Sequence, residues 1–212
     1  MKNVMSIISV FLLMNVQSVF SQFKFGVEVG YVLTHFHLAH DAGHSQNGNG
    51  FKLGAVASYE FNSPLYLETG FSYQQKKGSL MQLDLPNEVH AIESIRLDYY
   101  TLPVTVGAKW KIRDVDFRIK TGGFLACGGS STGLVSGCDG YGQNYTRREA
   151  LFRNNNVVRP FNRFDCGALC GADIGYRQLQ LRVAYEYGLL QVNSIIKDLH
   201  NRTFSVALAY FL

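Results

Sequence analysis

Beyond residue 21, this chain of 212 residues lacks any stretch approaching ~18 consecutive apolar residues, so no α-helix there is built to cross a bilayer. Internal repeats and low-complexity tracts are also missing, and the length suits one domain. Charge of one sign is missing too. Twenty Lys and Arg stand against 16 Asp and Glu, a net +4, and the basic residues are scattered, which excludes a nucleic-acid-binding patch. No nucleophile motif accompanies the scattered Ser, His and Asp, and no cofactor motif is present.

What is present begins with a leader. Met1 and Lys2 precede an apolar run from Val4 to Val16, and Val19-Phe20-Ser21 puts small residues at cleavage positions. The run is too short to span a bilayer and suits a signal-peptide core. Residues 1–21 are therefore expected to be a cleaved signal peptide and 22–212 the mature domain. No Cys follows the cleavage site, so a lipoprotein anchor is not indicated.

The end of the chain carries the clearest pattern. Phe204, Val206, Leu208, Tyr210 and Leu212 alternate with Thr203, Ser205, Ala207, Ala209 and Phe211. That is a strand with one apolar face, the kind that closes a barrel by pairing with the first strand. Phe23 to Thr34 alternates in the same way, with Phe25, Val27 and Val29 against Lys24, Gly26 and Glu28. Further alternating runs start at Phe51, Leu65, Tyr99, Val115, Phe164 and Leu179. Asn62-Ser63-Pro64, Arg113-Asp114 and Arg177-Gln178 read as tight turns, whereas His35–Gly50, Lys76–Ile95, Cys127–Arg163 and Leu189–Arg202 read as longer polar connections. The fold class is all-β: an eight-stranded antiparallel up-and-down transmembrane β-barrel with short periplasmic turns and long extracellular loops.

Three features set this pattern apart from a secreted sandwich. Glycine crowds the polar faces, as a tapering packed interior requires. Aromatic residues gather near both ends of the apolar faces, as two interfacial girdles would. The apolar faces carry essentially no charge, and Lys or Arg at mid-depth would cost about 2–4 kcal/mol. An eight-stranded interior is only wide enough for its own side chains. Lys24, Glu28, Lys52, Glu60, Glu68, Lys109, Arg118, Lys120, Asp173, Arg182 and Glu186 are therefore expected to form a lumenal charge network that plugs the barrel.

Two constellations carry alternatives. His35, His37, His40 and His44 crowd beside Asp41, a spacing that suits zinc or copper; the competing reading is an ordinary polar loop, since no Cys or second ligand pair stands nearby. Cys127 and Cys166 lie where adjacent strands would meet at the loop side, and export permits a disulfide between them; Cys138 is an alternative partner across the long loop, four cysteines allow three full connectivities, and free thiols are the other reading.

Several short segments resemble a known family. Phe23-Lys24-Phe25-Gly26-Val27, Tyr66-Leu67-Glu68-Thr69-Gly70-Phe71-Ser72-Tyr73 followed by Lys77-Gly78, Asp98-Tyr99-Tyr100-Thr101-Leu102-Pro103-Val104, and Asp165-x-Gly167-x-x-x-Gly171 are similar to the PorT-type eight-stranded outer-membrane β-barrels. A departure is Leu212, where such proteins commonly end in Phe. The resemblance implies the same barrel and a role in protein secretion or surface assembly. The expected function is thus an integral outer-membrane protein, not an enzyme, with a structural or interaction role. Its expected partners are outer-membrane lipid, the barrel-assembly machinery during insertion, and other secretion or surface proteins, with no nucleic acid and no cofactor. The alternatives are an enzyme acting at the extracellular rim on lipid or peptide, using His35 or His37 near Ser45, and a metal-binding surface protein.

Overall fold

Nine strands form in the computed structural model, which describes residues 22–37, 44–61, 63–81, 89–138, 143–152, 161–191 and 200–212. They are β1 (Phe23–His37), β2 (His44–Glu60), β3 (Leu65–Met81), β4 (Val89–Ile112), β5 (Val115–Cys138), β6 (Asn144–Glu149), β7 (Phe164–Tyr176), β8 (Leu179–Gln191) and β9 (His200–Phe211). The leader, residues 1–21, lies outside the described residues. Eight strands, all but β6, close an antiparallel barrel. Closure joins β1 to β9 in an unbroken register from Gly26↔Phe211 to His37↔His200, and Leu212 N–H donates to the Phe25 carbonyl at 2.8 Å. With both edges of the sheet used, the wall leaves no backbone row exposed to hydrocarbon.

Period-2 alternation then sorts side chains between outside and inside. The outer face holds Val27, Leu53, Ile119, Leu125 and Leu208, while Glu28, Lys52, Asp173 and Arg182 are buried inside. Leu125 is 64% exposed and Asp173 only 2%, the reverse of a water-soluble barrel. Two aromatic belts frame this band. At the turn end stand Phe23, Phe61, Trp110, Phe117, Tyr176 and Tyr210; at the loop end stand Phe51, Tyr100, Phe164, Tyr187 and Phe204. Among the described residues, no helix is long and apolar enough to cross a membrane.

The structure corrects the loops. Each of the four expected long connections is partly strand: β1 reaches His37 and β2 starts at His44, β3 runs to Met81 and β4 starts at Val89, β5 continues to Cys138, and β8 runs to Gln191 with β9 starting at His200. The stretch Cys127–Arg163, read as one long loop, also contains β6, which pairs with the outer part of β5 from Gly133↔Glu149 to Cys138↔Asn144. Asn47-Gly48-Asn49-Gly50 is not a turn either. It lies within β2 at a break in register with β3 between Asn47 and Lys52. A Cβ on Gly50 would fall 1.8 Å from the Gln75 carbonyl oxygen, so glycine serves a bulge with close backbone approach.

Two of the turns carry strain. Arg113 and Arg177, each the first residue of a two-residue hairpin turn, have φ of 55° and 54°. Turns with positive φ follow the twist of the flanking strands, but a side chain in this region costs ~1–2 kcal/mol. Glycine removes that cost and loses more chain entropy on folding, ~0.5–1 kcal/mol. Arg113→Gly is therefore expected to stabilise the barrel by up to about 1 kcal/mol in urea unfolding; a lower midpoint would mean that the arginine side chain makes a contact outweighing the strain.

Candidate functional site

The inward positions of seven strands meet in the lumen as three knots. Nearest the turn end, Glu60 on β2 receives Lys24 Nζ at 3.0 Å, Lys109 Nζ at 2.5 Å and Arg118 Nη2 at 2.9 Å. Arg118 also lies over the Tyr66 ring, 5.3 Å from its centroid. At mid-height Arg182 on β8 reaches across the barrel. Its Nη1 donates to Glu28 on β1 at 3.0 Å, its Nη2 to Glu68 on β3, and its Nε lies 3.5 Å from Asp173 on β7. Lys52 closes on Glu28 at 2.7 Å, and Lys120 bridges Glu68 at 3.0 Å and Asp173 at 2.9 Å. Each sequence-expected lumen residue except Glu186 takes part in these two knots. Glu186 anchors the third, with Gln74 Nε2 at 2.9 Å and Lys76 Nζ at 3.4 Å.

Burial makes this pairing obligatory. An unpaired charge in such surroundings costs several kcal/mol, and only close partners with further hydrogen bonds offset that cost. The cavity left among Glu28, Lys52, Glu68, Lys120 and Arg182 is about 30 Å³. That is room for one or two waters and not for a continuous path.

Lys76 was read from sequence as a loop residue, yet it is an inward strand residue, fully buried. Its ammonium sits 5.5 Å from the centroid of Tyr99 and 5.8 Å from that of Phe124. Above it the loop end is covered. Leu151, Phe152 and Phe161 are buried, as are Ile95, Leu97, Tyr99 and Val135 on the long hairpin. Phe152 meets Tyr99 edge-on at 5.7 Å, and its N–H donates to Ser131 Oγ at 2.7 Å. Phe161 N–H donates to the Leu151 carbonyl at 2.7 Å and Gly128 N–H to that of Arg163 at 2.5 Å. A Cβ on Gly128 would stand 2.5 Å from the Phe152 ring, so that glycine makes room for the lid. Sequence reasoning missed this cover because Leu151-Phe152 is an isolated apolar pair in a polar stretch, without periodicity to mark it.

His35 Nδ1 lies 2.6 Å from Asn47 Oδ1. The backbone of His37 pairs with that of His200 on β9, and the backbone of His44 with that of Met81 on β3. His40 lies outside the described residues, and among the described residues no three His, Cys, Asp or Glu converge as a metal site. Cys127, Cys166 and Cys170 are free thiols. Of the two readings offered for Cys127 and Cys166, the free thiols fit the register, which faces Cys127 with Phe164 and Cys166 with Leu125 and leaves the pair diagonal.

Outside the membrane band, Asp98 on β4 ties the hairpin together. It accepts Ser130 Oγ at 2.5 Å, Arg96 Nε at 3.3 Å and Gln75 Nε2 at 3.4 Å. Burial alone would raise its carboxyl pKa, but the hydrogen bonds from Ser130, Tyr73 and Arg96 outweigh it and hold the carboxyl below the usual range.

Two measurements follow from these geometries. Arg182→Ala leaves Glu28, Glu68 and Asp173 with only Lys52 and Lys120, one positive charge too few, and should cost about 3–5 kcal/mol of stability in urea unfolding, with Arg182→Lys costing less. Equal loss in both would show that charge is not what Arg182 supplies. Because the folded pKa of Asp98 is lowered, its contribution is complete above the unfolded value of about 4 and is lost as pH falls through the folded one. Amide protection around Ser130 should thus be weaker in Asp98→Asn than in the wild type at neutral pH, and the difference should close in acid. A difference that persists in acid would assign the effect to side-chain shape.

The family model for the outer membrane protein beta-barrel domain matches residues 15–193. No curated protein matches the chain. Among solved structures, Ail, the attachment invasion locus protein of Yersinia pestis, is 16% identical over 90% of this chain and 99% of its own, with a TM-score of 0.42. OprG from Pseudomonas aeruginosa is 8% identical over 89% of this chain and 95% of its own, with a TM-score of 0.48. Neisserial surface protein A is 12% identical over 89% and 96%, with a TM-score of 0.42. The match to the family model extends over most of the closed, inside-out wall, and the chain belongs to the outer membrane protein beta-barrel domain family.

Proposed function

We propose that this protein is a non-conducting outer-membrane anchor that holds a one-sided sheet outside the cell for a protein partner. Unequal strand length carries the reading. A tilted strand crosses the membrane with about 9–11 residues. β7 and β8 have 13 residues each and β9 has 12, enough to cross and little more. β4 and β5 have 24 residues each. Their surplus, continued by β2 and β3 and widened by β6, rises, among the described residues, on one side of the mouth.

A channel would have no use for this asymmetry, and the ion-paired lumen beneath its apolar lid argues against one. The PorT-type resemblance directs the search for the partner to secretion or surface-assembly components. The leader of residues 1–21 fits export with cleavage after Ser21.

Cross-linked affinity recovery of the full chain from intact outer membranes tests the proposal, together with planar-bilayer recordings of the purified protein. The expected result is reproducible co-recovery of secretion or surface-assembly proteins and no stable conductance. Recovery of the barrel alone, or steady open channels, would overturn it.

A further inference from the structure

We propose that the outer edge of β6 is a strand-addition site for an extended, acidic segment of the partner protein. The proposal rests on the interaction role given above and supplies the chemistry of the partner. β6 spends one edge on β5, and among the described residues no strand pairs along the other. Such an edge offers a row of main-chain donors and acceptors, and extended peptides bind by completing it.

The edge is also held in place. Directly after β6, Leu151 and Phe152 are buried in the lid, and the Phe152 N–H is fixed to Ser131 Oγ. A strand already ordered by its own anchors loses little entropy when a partner docks. Its position is well clear of lipid, since it pairs only with the last six residues of β5, Gly133 to Cys138.

The charge on β6 selects the occupant. Arg147 and Arg148 are consecutive, so they project to opposite faces of the strand and surround the edge with positive potential. The β5 segment beside them, Gly133 to Cys138, carries no charge. Arg147 is 68% exposed and meets Glu149 only at 3.9 Å, a surface pair worth little. A second copy of the chain would fit poorly. In the fully overlapping antiparallel pairing of two β6 strands, Arg147 of one copy stands diagonal to Arg148 of the other on each face, and long like-charged side chains at that spacing repel. Glutamate or aspartate on the incoming strand reverses that sign.

The test uses the full protein in lipid nanodiscs and a fluorescent extended peptide alternating Glu with Val and Thr. Two control peptides replace Glu by Lys or carry methyl groups on alternate backbone nitrogens. The acidic peptide should bind, and both controls should fail. Arg147→Glu with Arg148→Glu should weaken acidic binding by about tenfold, the size expected for two exposed charge pairs, and should favour the Lys peptide. Circular dichroism and the heat-dependent gel shift of the barrel check that this variant folds. No binding by the acidic peptide, equal binding of the Lys peptide, or unchanged binding of the methylated one would overturn the edge site. If cross-linking still recovers a partner after such a result, the edge assignment fails alone; if neither finds one, the interaction reading fails with it.

Discussion

Arg182 is the contact on which the barrel most depends. From β8 it engages carboxylates on β1, β3 and β7, so one guanidinium touches the wall on opposite sides of the lumen. A closed sheet fixes neighbouring strands through the backbone but says nothing about strands facing one another across the interior. The planar fork of arginine can bridge several carboxylates in fixed directions, which a lysine ammonium cannot. Lys120 repeats the link between Glu68 and Asp173, and Lys52 ties Glu28 to the neighbouring strand. The cross-section of the barrel is set by these groups as much as by strand number.

The wall was legible in the sequence because lipid and lumen impose opposite demands on consecutive residues. Val27 and Glu28, Ile119 and Lys120, or Leu181 and Arg182 cannot exchange places without burying a charge in hydrocarbon. The lumen partners were legible for the same reason, since every charged residue on a wall face without charge elsewhere had to point inward. Beyond the membrane that contrast ends. Gly48 and Gly50 sit in a strand bulge, and Ser130 to Thr132 are strand residues with water in reach. No hydropathy period marks them, so they read as loop. Lys76 was lost for the same cause: it stands in the strand just past the last clear alternation, and a lysine there looks like solvent-facing polarity. Leu151 and Phe152 show the opposite failure. They are apolar, but a lid made by two residues returning over the mouth is a tertiary event with no local signature.

The asymmetry of the rim follows from the same division of labour. Inside the membrane all eight strands must be long enough, because an unpaired backbone group there has no water to satisfy it. Outside, water satisfies any strand that stops, so extension is optional and must be stabilised by side chains. The hairpin of β4 and β5 has such support on both faces. Asp98, Ser130 and Arg96 hold one face, and Ile95, Leu97, Val135 and the lid residues hold the other. β7 starts at the aromatic belt, at Phe164, and β9 reaches only four residues beyond Phe204, where Asn201 donates to Asp165 at 3.3 Å and Arg202 lies over the Tyr187 ring.

Why the interior is charged at all needs a reason, since a well-packed apolar group often stabilises as much as a buried ion pair. An apolar lumen would make the two faces of each strand alike, and a strand shifted by one residue would then find hydrocarbon-like surroundings on either side. Strand register is weakly specified wherever both faces are equivalent. With Glu28, Lys52, Glu68, Lys120, Asp173 and Arg182 in the middle of the wall, a one-residue slip of β8 alone would turn Arg182 into lipid, at about 2–4 kcal/mol, and leave three buried carboxylates to share Lys52 and Lys120. The network therefore contributes most by penalising the wrong registers. That selectivity must be in place before the lid and the outer sheet can form, because the lid residues and β6 are attached to the far ends of strands whose phase is set in the membrane.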